Sequence, residues 1–331
     1  MHIFPKPNPV RTWGAVALAA AGLLGAVPAL AQAWPAKPVT LVVGTPAGGA
    51  IDVYARALAQ HLGKVTGGTF VVDNKAGANG NISAEYVLKA PADGTTLWIG
   101  THAMVTINPS AYAGLRWKQS DFVPIAKGVE APLMLVTNAA VAPRTFADLT
   151  KWIAANPGKV SYASFSPGTP SQFLGFQLNE KLKLDMVHVP YKGSAPQVVD
   201  LVAGQVPLGF TQLQTALPQV QAGKLNAIAV TSAQRSRFAP QVPTLAELGH
   251  PDMNTSIWFG LFAPAATPKA AVDAIRAATL KVQADPDYRK HLEANGFDVA
   301  SEHGEAFEKA IAAETARWAQ VVRATGFKAN D

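Results

Sequence analysis

Short continuous apolar runs alternate along the chain with stretches in which apolar residues recur every three or four positions. In VTLVVG, residues Val39, Leu41, Val42 and Val43 predict a buried strand, and the following positions predict an amphipathic helix over 51–62. TFVVDN and TTLWIG predict further strands, separated by the turn-rich KAGANGN and a helix over 83–90; THAMVTINPSAY reads as a loop. APLMLVTNA predicts another strand, and TFADLTKWIAANPG a helix with Thr145 as N-cap and Gly158 beyond its end. A second series follows, with strands in KVSYAS, MVHVPY, VPLGF and LNAIAVTS and helices between them. After a last strand, SIWFGLFAP, the chain closes on helices in PKAAVDAIRAATLKVQA, PDYRKHLEANG and EAFEKAIAAETARWAQVVRATG. Such alternation predicts an α/β fold with mostly parallel sheets. APLMLVTNA leaves the first series and SIWFGLFAP returns after the second, with no Gly/Ser-rich tether near either. The expected organisation is two lobes around a cleft, 34–130 plus 255–331 and 131–254, joined by two crossing strands that act as a hinge.

Residues 1–33 stand apart from this pattern. Lys6 and Arg11 precede an apolar run over 14–30, and Ala31 and Ala33 occupy the −3 and −1 positions of a cleavage site. The run is shorter than the ~20 apolar residues of a membrane span, and Gly22, Gly25 and Pro28 break it further. A signal peptide cleaved near Ala33 and a periplasmic location are therefore expected. Loss of Lys6 and Arg11 takes the formal net charge from +6 to +4, since the leader holds no acid. With no Lys/Arg block in the remainder, nucleic acid is not an expected partner, whereas a mild positive bias suits small anions. The chain has 0 cysteines, which removes disulfides, thiolate metal sites and Cys nucleophiles.

Candidate chemistry collects where predicted strands run into helices. Ala47-Gly48-Gly49-Ala50-Ile51 leaves bare backbone N–H groups at a helix start, where partial positive charge accumulates. Ser166, Gly168, Thr169 and Ser171 in SPGTPS, and Lys192 and Gly193 in YKGSAP, form similar junctions. Thr101 and His102, and Thr211 and Gln212, supply hydroxyls, a ring and an amide directly after strand ends. In open α/β sheets ligands sit beyond the carboxyl ends of strands, where all five junctions lie. Helix starts of this kind hold a carboxylate with backbone donors alone. Lys192 is the cation within a candidate loop, and His102 has a ring N–H to offer a carboxylate. Gly49 is the glycine at which close backbone approach is expected to matter most. Asp52 and Arg56, four apart, read as a helix-stabilising pair. Enzyme motifs are missing: GTPAGGA is neither G-x-G-x-x-G nor a P-loop, and no G-x-S-x-G elbow or H-E-x-x-H occurs. No catalytic residue, metal site or cofactor is expected.

Several segments, taken in order, resemble the Bordetella-uptake-gene (Bug) type of periplasmic solute receptor, the binding proteins of tripartite tricarboxylate transporters. PAGGAIDVYAR is similar to that family's P-x-G-G-x-x-D-x-x-A-R segment, and VDNKAGANGNISAEYV resembles its N-K-x-G-A-x-G-x-I stretch. VPYKGSAPQVVDLVAGQV, VPTLAELG and WFGLFAPAATP are similar to later family segments. The departures are Gly44-Thr45-Pro46 where Phe-Pro is usual, Ala50-Ile51 where Pro-Thr is common, and Gln172 where a His is common. The resemblance implies a type II-like periplasmic-binding-protein fold closing as a Venus flytrap on an organic carboxylate. The expected ligand is a dicarboxylate gripped at both ends, with an aromatic (phthalate-type) or an aliphatic spacer tolerated against apolar Ala50 and Ile51. The implied partners are membrane permease subunits, with the receptor itself a monomer. A ligand-sensing subunit of a two-component kinase and an exported hydrolase using Ser166 or Ser171 are the competing functions.

Overall fold

The computed structural model describes residues 1–3, 34–141 and 143–329, so the leader reading falls, over 4–33, outside the described residues. Strand β1 (Val39–Val43) leads through helix α1 (Ala50–Thr66) to β2 (Phe70–Asn74), α2 (Asn81–Lys89) and β3 (Thr96–Thr101). A short helix α3 (Asn108–Ala111) precedes strand β4 (Phe122–Asn138) and helix α4 (Phe146–Ala154). The same wiring then recurs as β5 (Val160–Ser164), α5 (Pro170–Leu182), β6 (Met186–Pro190), α6 (Ser194–Ala203) and β7 (Leu208–Gln212). Helix α7 (Leu213–Gln221), β8 (Leu225–Val230), β9 (Ser256–Pro264), α8 (Lys269–Ala284), α9 (Pro286–Ala294), β10 (Asp298–Val299) and α10 (Gly304–Thr325) complete the chain.

The strands form one curled 10-stranded sheet in the order β2-β1-β3-β9-β4-β7-β5-β6, with β8 and β10 also paired to β4. At one end β1 runs parallel between β2 and β3; at the other β5 runs parallel between β6 and β7. The pairings around β4 and β9 are antiparallel. The two sheet ends are thus the same βαβαβ unit built twice. In each unit the chain leaves the middle strand toward one neighbour and later returns on the other side. That reversal opens a crevice beyond the carboxyl ends of β1 and of β5.

β4 is longer than the sequence pattern indicates, because it extends back from APLMLVTNA to Phe122 as one strand of 17 residues. Pro124, Lys127 and Gly128 mask the pattern there, and the register with β9 shifts at Pro124/Ala126 and at Lys127/Val129. Its first part pairs with β9 and its second with β7 and β8, so β4 crosses between the halves of the sheet. Among the described residues β9 pairs with β3 and with the first part of β4, from Phe122 opposite Pro264 to Pro132 opposite Ser256; the chain returns before it, where Thr255 N donates to Thr231 O at 2.7 Å. The segment read as a loop after β3 is helical, with wide turns over Ala103–Ile107 leading into α3. Thr145 caps α4 as expected, its hydroxyl accepting from Asp148 N at 3.1 Å.

Burial follows helical spacing. In α1 the buried Tyr54, Leu58 and Leu62 recur every four positions, the stripe expected of a helix lying on a sheet. In α10 Phe307 and Ile311 enter an aromatic cluster with Trp98, Trp258 and Phe262, while Trp318 and Val322 enter another with Ala103, Ile107 and Ala111. That second cluster also takes in Phe173 of α5, at 0% exposure, although Phe173 belongs to the other βαβαβ unit.

Candidate functional site

The turn between β1 and α1 is held from below. Gly48, with φ at 85°, donates its N–H to Asp52 Oδ2 at 2.9 Å. Arg56 grips the same carboxylate through Nε at 2.8 Å and Nη2 at 3.1 Å, and Asn74 Nδ2 donates to Oδ1 at 3.0 Å. Asn74 also donates to Thr45 O at 3.0 Å, which ties β2 to the turn. Burial alone would raise the Asp52 pKa, but the bonds from Arg56, Gly48 and Asn74 outweigh it and hold the carboxyl below its ordinary value. Asp52 and Arg56 are therefore the helix pair the sequence indicates, with the added task of shaping the turn. Ala47, Gly48 and Gly49 are exposed and Ala50 is half-buried. No side chain caps α1; Asp52 N and Val53 N both donate to Gly49 O at 3.0 Å.

The second unit repeats this construction. Gly168, with φ at 69°, donates its N–H to Gln172 Oε1 at 2.7 Å, again four residues on. Thr169 precedes α5 without a side-chain cap, and Thr169 Oγ1 donates to Ser166 O at 2.7 Å. The neighbouring turns join it: Gly193 N donates to Phe165 O at 2.7 Å, and Ser194 Oγ to Gln212 Oε1 at 2.9 Å. Ser166 and Gly193 are half-buried and Lys192 is exposed, in no ion pair with the described residues. Across from this group, a Cβ placed on Gly168 would lie 3.8 Å from Nδ2 of Asn79, in the turn after β2. Ala78 and Asn79 hold φ of 45° and 48°, a conformation rare outside glycine. Asn79 is fixed by donating to Asn108 Oδ1 at 3.0 Å.

Gly48, Gly168, Ser166, Lys192, Gly193 and Gln212 therefore sit at the crevice ends of their units. Other candidates are differently placed. Ile51 is 4% exposed and packs into the main core, because α1 turns that side toward the sheet; it offers no apolar platform. His102 is 1% exposed, with its ring edge-on to Trp258 and Trp318. Its Nε2 lies 3.0 Å from Trp318 Nε1 and 3.1 Å from Glu314 Oε2, so it belongs to the packing of α10 rather than to the crevice. Ser171 is fully buried, donating to Phe210 O and accepting from Phe165 N at 3.2 Å, and so braces β7 against the second turn. Thr169 is 4% exposed, and Thr211, at 0%, meets Thr215 Oγ1 at 3.4 Å. Thr101 is half-buried and accepts from Met104 N at 3.2 Å. Gly49 is in extended backbone at φ −80°, so the conformational demand falls on Gly48 instead.

The hydrolase alternative has little to stand on. Among the described residues Ser166 and Ser171 have no histidine partner, and Ser164, which meets His188 Nε2 at 2.7 Å, is itself fully buried. Burial pushes the His188 pKa down to about 4, leaving it a weak base. Sequence reading passed over Asn74 and Asn79 as turn residues and took Gln172 only as a departure from the family pattern, not as the acceptor of the Gly168 N–H. The asparagines of KAGANGN carried the only signal for one of them, since Asn tolerates positive φ.

Two βαβαβ units, each with a glycine-led turn after its middle strand, joined through antiparallel β4 and β9 in one curled sheet, are the architecture of a periplasmic binding protein. The chain belongs to the tripartite tricarboxylate transporter receptor family, whose model matches residues 54–327. It is 36% identical to BugT of Bordetella pertussis, over 94% of this chain and 95% of that one. Among solved structures, BugD superimposes with a TM-score of 0.79 at 32% identity, covering 89% of this chain and 99% of the other. Rpa4515 of R. palustris with adipate gives a TM-score of 0.83 at 31% identity, covering 89% and 99%. MatC of Rhodopseudomonas palustris with bound malate gives 0.78 at 29% identity, covering 87% and 100%. The family is one of solute-binding receptors rather than enzymes, and no helix among the described residues is long and apolar enough to cross a membrane.

Proposed function

We propose that the protein is a periplasmic receptor, released from its leader near Ala33, that captures an organic dicarboxylate and hands it to permease subunits of a tripartite transporter. The observation that carries this reading is the doubling of the turn: Gly48 before α1 and Gly168 before α5 each give their N–H to a side chain four residues on, and neither helix start has a side-chain cap. A diacid places one carboxylate at each helix start, each worth ~0.3–1 kcal/mol from the dipole even when exposed. The binding proteins seen with adipate and with malate support the ligand class. Because Ile51 is buried, it gives no apolar contact to a spacer of either kind. The lobes in this reading are 34–130 plus 255–331 and 131–254, acting as a monomer, with β4 as the ordered crossing about which they close.

A thermal-shift panel of mono- and dicarboxylates, neutral sugars and amines tests the reading. A hundredfold excess over the dissociation constant stabilises the bound form by ~2.7 kcal/mol, so adipate, malate or a near relative should raise the melting temperature. A panel in which only sugars or amines act would refute the reading.

A further inference from the structure

Phe327, shortly after helix α10, lies against the second turn. Helix α10 is rooted in the first unit: Trp318 Nε1 donates to His102 Nε2 at 3.0 Å, and Glu314 accepts from Trp258 Nε1 at 2.8 Å. The helix stops at Gly326, whose φ of 63° turns the backbone out of helical register. Three residues later Ala329 N donates to Ala111 O at 3.0 Å, so the chain is fastened to the first unit on both sides of Phe327. The ring of Phe327 nonetheless points to the second unit. It stands edge-on to Phe173 in the first turn of α5, with centroids 5.6 Å apart and planes at 83°. A Cβ built on Gly168 would lie 3.2 Å from Cε1 of Phe327.

We propose that residues 326–329 form a strap that ties the second ligand turn to the first unit, with Phe327 as the positioning residue. The idea rests on the reading of that turn as a ligand turn. Its physical content is simple. The Gly168 N–H bond to Gln172 fixes the turn only relative to its own helix. The placement of the turn relative to Asn79 and the first unit is fixed by what packs behind it, and Phe327 is the ring that does so. Rotation of one unit against the other must slide Phe327 over Gly168 and Phe173, so the strap resists opening and sets the separation at which a diacid is met. Phe173, wholly buried among first-unit residues, gives the strap its anchorage.

The two turns provide their own control. Phe327→Ala removes a half-buried ring two residues before the last described residue, and amide exchange is read at Gly168 and Gly48 with no ligand present. The strap predicts exchange at Gly168 faster by about tenfold or more, an unchanged Gly48, and partial recovery in Phe327→Leu. Equal acceleration at both glycines, or none at Gly168, would overturn it. In a second arm adipate is titrated into both proteins, and a strap that positions the turn makes Phe327→Ala bind several-fold more weakly. Adipate bound equally by both proteins would also overturn it. Should the parent protein bind no carboxylate at all, the proposed function fails while the exchange result still decides the strap.

Discussion

The two glycine-led turns share a backbone and differ in chemistry. Each has a glycine at positive φ whose N–H is taken by a side chain four residues on, and neither has a side-chain cap. In the first unit that acceptor is the carboxylate of Asp52, held by Arg56 and Asn74; in the second it is the neutral amide of Gln172. Geometry is therefore conferred by an acceptor at the fourth position, while the nature of that acceptor sets the field above the helix start. A carboxylate there, even a paired one, subtracts from the attraction for an anionic ligand; an amide leaves it intact.

Removing the acceptors should break the resemblance most visibly. Asp52→Ala leaves Arg56, Asn74 and Gly48 without their common partner, a loss of about 3 kcal/mol by the worth of charged hydrogen bonds, whereas Gln172→Ala should cost about 1 kcal/mol. Denaturant unfolding of the two variants measures the difference, and equal costs would mean that Asp52 does no more than Gln172. Acid should act on one turn only. Because the folded pKa of Asp52 lies below the unfolded 3.8, its contribution is fully present above the unfolded value and is lost as the pH falls through the folded one. Gly48 amide protection should decline in that range while Gly168, bound to an amide that does not titrate, keeps its own; Asp52→Asn should abolish the contrast.

Glycine replacement sharpens the comparison from the backbone side. A side chain at Gly48 has open space and suffers only its φ of 85°, a strain of about 1–2 kcal/mol. At Gly168 the same strain is joined by a contact at 3.2 Å with Phe327. Gly168→Val should therefore lower stability and diacid affinity more than Gly48→Val does, as read by unfolding and calorimetric titration. Gly49→Val, in extended backbone, should be the mildest of the three.

What could be read from the chain itself follows the same division between local and long-range causes. Strand ends, helix starts and glycine-rich turns are local, and VTLVVG followed by TPAGGA shows them directly. Ile51 was misplaced because a helix start looks alike from either face until the sheet beneath it is known. The first half of β4 was hidden by Pro124, Lys127 and Gly128, whose place in a strand depends on β9, more than a hundred residues later, and on the bulges that absorb them. His102 looked like a ligand donor because Trp258, Glu314 and Trp318 reach it only through folding. Nothing local marks Phe327 either, since its partners Phe173 and Gly168 lie about 150 residues earlier.

Charge at the second turn can be altered without removing its acceptor. Gln172→Glu keeps an oxygen for Gly168 N–H while placing a carboxylate where the first turn has one, so the two units become alike. Diacid affinity should fall by about 1 kcal/mol, or roughly fivefold, with the unfolding midpoint nearly unchanged. An unaltered affinity would mean that the neutrality of Gln172 is incidental.

The smallest effect expected is at Lys192, and it separates backbone from side-chain attraction. This cation is exposed and makes no ion pair with the described residues, so it belongs to the second turn's field without belonging to its hydrogen bonds. An exposed charge contributes up to about 1 kcal/mol to an ionic contact, and Lys192→Ala should weaken diacid binding less than about fivefold. What remains is due to helix amides that no substitution at Lys192 disturbs. Salt provides the check, because the screening length shrinks from ~10 Å at 0.1 M to ~3 Å at 1 M. The gap between parent and variant should close at high salt while both retain affinity. Loss of all binding in Lys192→Ala would instead make the lysine the principal anion contact, and the likeness between the two turns would then be one of shape alone.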